Sequence, residues 1–321
     1  MVNSFDFNQA IDFSAAANDV LAVGELLIDL ISDDYDEEFQ SSTYHKFFGG
    51  SPANIAMNVR KLGIHSQVAA AVGEDGLGLF LVNELRNAGI EPHLVERVPL
   101  ATSMVLVTKS KSSPIPIFYR GADHHLGFRA ELEDTLMQSK ILHFSCWPIS
   151  MLPSRHTMES LIETARKNQI LIGFDPNYHP MIWNRNEDGI EYLKSIIGMV
   201  DIIKPSEDDA ERLFGRDTPE NQVHKILNLG AKLVIMTLGE NGAIVSNGKE
   251  TVTFGTLATE VVDTTGAGDA FWSGFYSALV KGFTIRQALS LGFAVSAYKL
   301  KFTGAVVDLP KLEAIKELYS I

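Results

Sequence analysis

Apolar residues run along this chain in two alternating rhythms. Short, nearly continuous apolar runs read as buried strands, and stretches with apolar positions every three or four residues read as helices. Residues 1–18 are polar and acidic and read as a loose arm. Residues 20–30, VLAVGELLIDL, form a mostly apolar run that fits one strand covered on both faces. Gly24 and Glu25 interrupt it, and Asp29 stands near its exit. Residues 32–40 are acidic and turn-like, and 44–48 are aromatic and strand-like. Next comes GGSPAN, running into IAMNVRKLG. Ser51 fits an N-cap and Pro52 the first helical position, and Gly63 suits the stop. A strand at 67–73 and a helix at 76–87 follow. Alternation of this kind predicts βαβ units and a parallel sheet.

Residues 93–119 break the rhythm. HLVERV, TSMVLVT and PIPIFY are short and strand-like, separated by prolines and the polar segment KSKSS. Together with residues 31–48 they read as a small antiparallel sheet inserted beside the main domain, within one domain spanning 1–321. Arg120 closes the region. Alternation then resumes, with strands at 141–145, 169–174, 200–203 and 233–237 and helices at 153–167, 188–197, 208–213 and 219–229. A short ribbon at 243–245 and 251–254 follows, then helices at about 285–300 and 310–318. Asp29, Asp175, Asn177, Ser206 and Thr237 fall at strand exits, the edge where open α/β sheets bind their ligands.

With 321 residues, 45% of them hydrophobic, the chain can build a sizeable core. Its net charge of −13 disfavours a general nucleic-acid or anionic-membrane partner. Cys146 is the one cysteine, so neither an intrachain disulfide nor a cysteine metal cluster forms. The start lacks a basic segment followed by an apolar core, and no apolar 20-mer occurs, so a cytoplasmic location is expected. The motifs of P-loop enzymes, dinucleotide-binding folds, H-E-x-x-H metalloproteases and nucleophile-elbow hydrolases are missing.

The stretch 260–281, EVVDTTGAGDAFWSGFYSALVK, organises the rest. A helix that begins on small residues presents unshielded N–H groups and binds anions. Asp269 sits where a carboxylate would oppose a bound phosphate. It suits a site that takes a proton from a hydroxyl attacking that phosphate, or it complements the helix dipole. Asn54, with both a donor and an acceptor, suits a polyol or a local cap.

The run 263–269, DTTGAGD, resembles the C-terminal signature of the ribokinase-like, PfkB-type carbohydrate kinases. Residues 49–56, GGSPANIA, with Leu62-Gly63, resemble their N-terminal signature. The resemblance extends from about residue 20 to 310. It implies a three-layer α/β/α sandwich with a mostly parallel central sheet and a small β-sheet lid, and transfer of the ATP γ-phosphoryl group to a sugar hydroxyl. By motif position Asp269 would be the base, and Gly266, Ala267 and Gly268 would offer N–H groups to the transferring phosphoryl. Asp29, Gly50 and Asn54 would hold the sugar, with Asn177 and Arg120 as further candidates. Thr237 and Gly239 match the nucleotide-side loop. Asp263 and Thr265 match positions linked to a monovalent cation such as K+, and Mg2+ would arrive with the nucleotide.

Two departures bear on specificity. Ser206-x-x-Asp209 stands where relatives often have Asn-x-x-Glu, and its shorter aspartate reaches less far toward magnesium-bound water. His179 replaces the arginine of DPNxR, which removes a permanent cation and disfavours an acidic sugar such as 2-keto-3-deoxygluconate. D-Fructose at a primary hydroxyl is the expected acceptor, with 6-phosphofructose set aside because no basic pocket is evident. Other acceptors, including ribose and the keto acid, and a catalytically silent sugar sensor are the alternatives. A homodimer joined through the lid would cover its sheet edges.

Overall fold

The computed structural model of the chain describes residues 5–36, 38–109, 116–184 and 186–321. Most of the KSKSS segment and the first residues of PIPIFY lie outside them, as does the tip of the N-terminal arm. Among the described residues, strands β1 (Asn18–Val23), β2 (Leu27–Tyr35) and β3 (Tyr44–Gly49) lead into helix α1 (Ser51–Lys61). Then come β4 (Ser66–Gly73), α2 (Gly76–Asn87), β5 (Val95–Val98), β6 (Met104–Lys109) and β7 (Ile117–Tyr119). Next are α3 (Ala130–Met137), β8 (Ser139–Ser145), α4 (Trp147–Ser150), α5 (Ser154–Lys167) and β9 (Leu171–Asp175). They are followed by α6 (Gly189–Ile197), β10 (Ile202–Ile203), α7 (Glu207–Phe214), α8 (Pro219–Asn228) and β11 (Leu233–Thr237). The chain closes with β12 (Ala243–Ser246), β13 (Thr251–Phe254), α9 (Ala267–Val280), α10 (Ile285–Lys299) and α11 (Leu312–Leu318). Helix α3 had no counterpart in the sequence reading.

The main sheet has the order β13-β12-β11-β10-β9-β8-β1-β4-β5. It is parallel from β5 to β11, and β12 and β13 add an antiparallel edge. Successive residues of a strand point to opposite faces, and here both faces are dry. Val20, Ile141, Ile202 and Leu233 enter one core, beneath α1, α9 and α10. Their neighbours Leu21, Leu142, Ile203 and Val234 enter the other, with α5, α6 and α8. Apolar runs without alternation therefore become strands covered on both sides, and the three-layer sandwich follows. Helix α9 is buried on every side, with Phe271, Trp272, Phe275 and Tyr276 all at 2% exposure or less. Two of its aromatic side chains have polar partners: Trp272 Nε1 donates to Asp175 Oδ2 at 2.8 Å, and the Tyr276 hydroxyl meets His143 Nδ1 at 2.8 Å, while Ser277 Oγ is buried without one.

The small sheet has the order β3-β2-β6-β7. Three readings need correction here. The run 20–30 is two strands in two sheets. Gly24, at φ 152°, breaks it, so β1 stays in the main sheet while β2 departs into the lid. Asp29 therefore lies on a lid strand, paired with Phe47 and Val105, and not at an exit of the main sheet. Residues 95–98 pair with β4 and extend the main sheet. The lid also contains one parallel pairing, β2 with β6.

The arm is not loose over residues 5–11. Phe5, Phe7 and Ile11 are buried among α9, α10 and α11. The carbonyls of Gln9 and Phe7 accept the amides of Ile285 and Arg286 at 3.0 and 2.8 Å. The first amides of a helix have no intrahelical acceptor, and this segment supplies them for α10. No described helix is long and apolar enough to cross a membrane. Phe7→Ala is expected to cost about 3 kcal/mol of stability through the cavity it leaves. Urea unfolding measures this, and an unchanged midpoint would contradict the docked segment.

Candidate active site

A cavity of about 370 Å³ lies at the carboxyl ends of β1, β8 and β9, with lid residues Leu27, Asp29 and Val105 contributing to its wall. Two helix N-termini meet in it, those of α1 and α9. The α1 entry depends on Gly50, at φ 107°, where a Cβ would run into the carbonyl of Glu25. Gly50 itself is the N-cap, and Ser51 occupies the first turn without capping. Its hydroxyl is used elsewhere: Ser51 Oγ donates to Asp269 Oδ1 at 2.6 Å. Asn54 Nδ2, one turn on, donates to Asp269 Oδ2 at 2.9 Å. The Oδ1 of Asn54 is buried without a partner.

The α9 entry turns on Gly266, in the left-handed region at φ 74° and packed against Ala305. The amide of Ala267 turns back to the carbonyl of Thr264 at 3.1 Å, so it is not free for a phosphate. Gly268 and Asp269 stand at the next two positions, whose amides an α-helix leaves without an internal acceptor. A side chain at Gly268 would crowd Lys204 Nζ, with its Cβ 3.1 Å away. Lys204 in turn pairs with Asp175 at 2.8 Å, both nearly inaccessible.

Burial raises three carboxyls that share the cavity. Asp269 is pushed up to about 6 by burial, and the bonds from Ser51 and Asn54 moderate the rise. Asp29 is pushed up to about 7 by burial and then by the charge of Asp269. Glu25 is pushed up to about 8, chiefly by burial, while accepting from Ser145 Oγ at 2.9 Å and Ser51 N at 3.2 Å.

The cavity brings together nine of the expected residues: Asp29, Gly50, Asn54, Asn177, Thr265, Gly266, Ala267, Gly268 and Asp269. Asn177 holds the left-handed conformation at φ 39°, the kind of local strain that clusters at functional sites. Six residues fall outside its wall. Arg120 has all five N–H groups engaged by Asp123, Ser150, Ile182 and Trp147, so it serves a buried ion pair and not a ligand. Asp209 closes a capping box with Ser206 and accepts the amide of Tyr178 at 2.8 Å, which occupies its oxygens at the start of α7. Thr237 and Gly239 lie two strands beyond Asp175 along the sheet edge. Asp263 accepts the amides of Thr265 at 2.9 Å and Gly304 at 2.7 Å and is not part of the cavity wall. His179 meets the lid residue Phe118, ring to ring at 4.8 Å. Among the described residues no group of three His, Cys, Asp or Glu is gathered to hold a metal.

Sequence reasoning assigned no chemistry to Glu25 or Lys204. Glu25 was visible as a charge interrupting an apolar run and Lys204 as one at the end of a run, the one signal available for each.

With this geometry in hand, the chain was compared with known proteins. A family profile described as pfkB family carbohydrate kinase matches residues 17–312. An ATP-dependent 6-phosphofructokinase of Thermoanaerobacterium thermosaccharolyticum is 61% identical over 317 residues, 99% of this chain and 98% of that one. The structure of Halothermothrix orenii fructokinase is 37% identical with a TM-score of 0.77, covering 86% of this chain and 97% of that one. A double mutant of Vibrio cholerae fructokinase, in a form with bound fructose, ADP and potassium ion, is 26% identical with a TM-score of 0.81. The two chains are covered to 95% and 99% respectively.

Glu25 provides a check on the electrostatics. Its folded pKa is raised, so its contribution to stability is complete below its ordinary value and is lost as pH rises through about 8. Glu25→Gln removes the titration. The variant should match the parent near pH 5 and exceed it above pH 8 by something on the order of 2 kcal/mol. Thermal melts across pH test this, and a gap that does not widen with pH refutes it.

Proposed function

Because the chain belongs to the pfkB family of carbohydrate kinases, we propose that it transfers the γ-phosphoryl group of ATP to a primary hydroxyl of a ketohexose, with fructose 6-phosphate the preferred acceptor. The observation carrying that choice of acceptor is the 61% identity, along the whole chain, to a protein named an ATP-dependent 6-phosphofructokinase. Fructose 6-phosphate has one free primary hydroxyl, at C1. This reverses the order expected from sequence, which set the phosphorylated sugar aside for want of a basic pocket.

Asp269 then acts as the general base. It is held by Ser51 and Asn54, and its raised pKa suits a group that takes up a proton and later returns it. The N-terminus of α9 and the Lys204 ammonium supply fixed positive potential beside it. Asp29 on the lid and Asn54 Oδ1 are the acceptors for sugar hydroxyls, with Gly50 allowing close approach and Asn177 flanking them. Thr237 and Gly239 place the nucleotide along the sheet edge past β11. Magnesium, which the family implies, would be held through the ATP phosphates, with Asp175 and Asp269 the carboxylates on that side. It would supply charge neutralisation of the phosphates.

One observation favours unphosphorylated fructose. Among the described residues Lys204 is the only Lys or Arg lining the cavity, and Asp175 already pairs with it. The two readings separate in a single assay. ADP release is measured with ATP and magnesium against fructose 6-phosphate, fructose, ribose, 2-keto-3-deoxygluconate and no sugar. The expected result is a kcat/KM for fructose 6-phosphate at least about tenfold above fructose. The opposite order selects fructose, and no turnover of any acceptor rejects the kinase reading.

Asp269→Asn keeps the shape and both hydrogen-bonding neighbours but cannot take a proton. Its kcat should fall by roughly 10³-fold with little change in KM for the sugar. In the parent enzyme kcat/KM should rise with pH along a limb centred near the raised pKa of about 6. A variant with parental turnover would remove Asp269 from the base role.

A further inference from the structure

Lys299 is fully buried, at 0% exposure, in the last turn of α10. Among the described residues its one ion-pair partner is Asp263, at the long end of ion-pair contact. Its Nζ donates to the backbone carbonyl of Asp263 at 2.7 Å and lies 3.9 Å from that residue's Oδ2. Burial lowers its pKa, and the charges of Asp263 and then Asp269 oppose that. The end of a helix favours a cation, because its unpaired carbonyls carry partial negative charge.

The segment that Lys299 grips leads directly into the α9 entry. Val262 N donates to Leu300 O at 2.7 Å, and Ser296 Oγ donates to Ala267 O at 3.0 Å. Gly266 rests on Ala305, just past the Gly304 amide that Asp263 accepts. The end of α10 thus fixes the loop from Val262 to Ala267 by contacts at both its start and its finish.

The resemblance assigns Asp263 and Thr265 to a monovalent cation. The residues present do not fit one. The two carboxylate oxygens of Asp263 already accept backbone amides, and its carbonyl already accepts an ammonium. A potassium ion placed among these oxygens would sit beside a buried positive charge, and like charges at such a distance in a poorly solvated site repel strongly.

We propose that the Lys299 ammonium takes the place of that cation, holding the loop at the N-terminus of α9 so that phosphoryl transfer needs no added potassium. Lys299 is a positioning residue, acting through the Asp263 carbonyl and never touching substrate. The proposal rests on the kinase reading for its kinetic arm and on the fold alone for its binding arm.

The test uses the full chain and choline salts of ATP and buffer. In the binding arm, thermal melts compare potassium with choline at equal ionic strength. The parent should show no potassium-specific rise in Tm, and a saturable rise would overturn the proposal whatever the acceptor proves to be. In the kinetic arm, parental kcat/KM should stay within about twofold on replacing choline by potassium, and activation of about tenfold or more would overturn it. Lys299→Met should lose at least about tenfold in kcat/KM in choline and regain part of it in potassium or ammonium. A variant with parental activity in choline would show that the ammonium is not needed. Should Lys299→Met fail to fold, the parental melts and rates decide alone.

Discussion

The site depends on one arrangement: the N-termini of α1 and α9 are brought together around a buried carboxylate. Asp269 belongs to α9, and both side-chain donors that hold it, Ser51 and Asn54, belong to α1. A carboxylate without such partners would be expelled from the interior or neutralised. Here two donors and two converging helix dipoles offset part of the burial, and the residual cost appears as the raised pKa. The carboxylate is therefore ionisable near neutrality, yet still basic enough to take a proton.

That convergence is built from afar. Helix α9 is dry on every side and cannot slide without opening both aromatic packing and polar anchors. Asp175 ties it to β9 through Trp272, and the same carboxylate holds Lys204 beside Gly268. A single side chain at a strand end thus sets the height of the helix and the position of the nearest cation. Glu25 and Asp29 reach the same space from the hinge and the lid, and each is pushed toward its neutral form. Stability is given up in the empty cavity to keep these acceptors close, as is usual where function requires buried charge.

What the sequence showed plainly was local. Glycines at positive φ and small residues at a helix start have few structural substitutes, so residues 49–54 and 263–269 were legible as loops at helix N-termini. Continuous apolar runs likewise announced strands covered on both faces. What stayed hidden was set by distant partners. Nothing in the run 20–30 reveals that Gly24 adopts φ 152° and sends its second half into another sheet. Arg120 and Asp209 have the chemistry of ligand-binding groups, and only their distant partners, Ser150 and Tyr178 among them, show that they are engaged. Phe5 and Phe7 sit in an acidic segment with no helical or strand period. Their rings pack into the apolar core beside α9 and α10, and the Phe7 carbonyl accepts the amide of Arg286, nearly 280 positions away.

The split of that first run also supplies the logic of the lid. Strand β2 leaves the main sheet only three residues after β1 ends, so Asp29 is carried by the lid while Asp269 is fixed in the body. In the proposed reaction one sugar acceptor, Asp29, is thus carried by a lid strand and the base, Asp269, by helix α9, with the short turn at Gly24 joining the lid to the main sheet. Leu27 on β2 and Val105 on β6 add apolar surface to the cavity wall. In the proposed reaction a sugar spanning Asp29 and Asp269 would join acceptor recognition to proton transfer, and a lid closing over it would exclude water by the same movement.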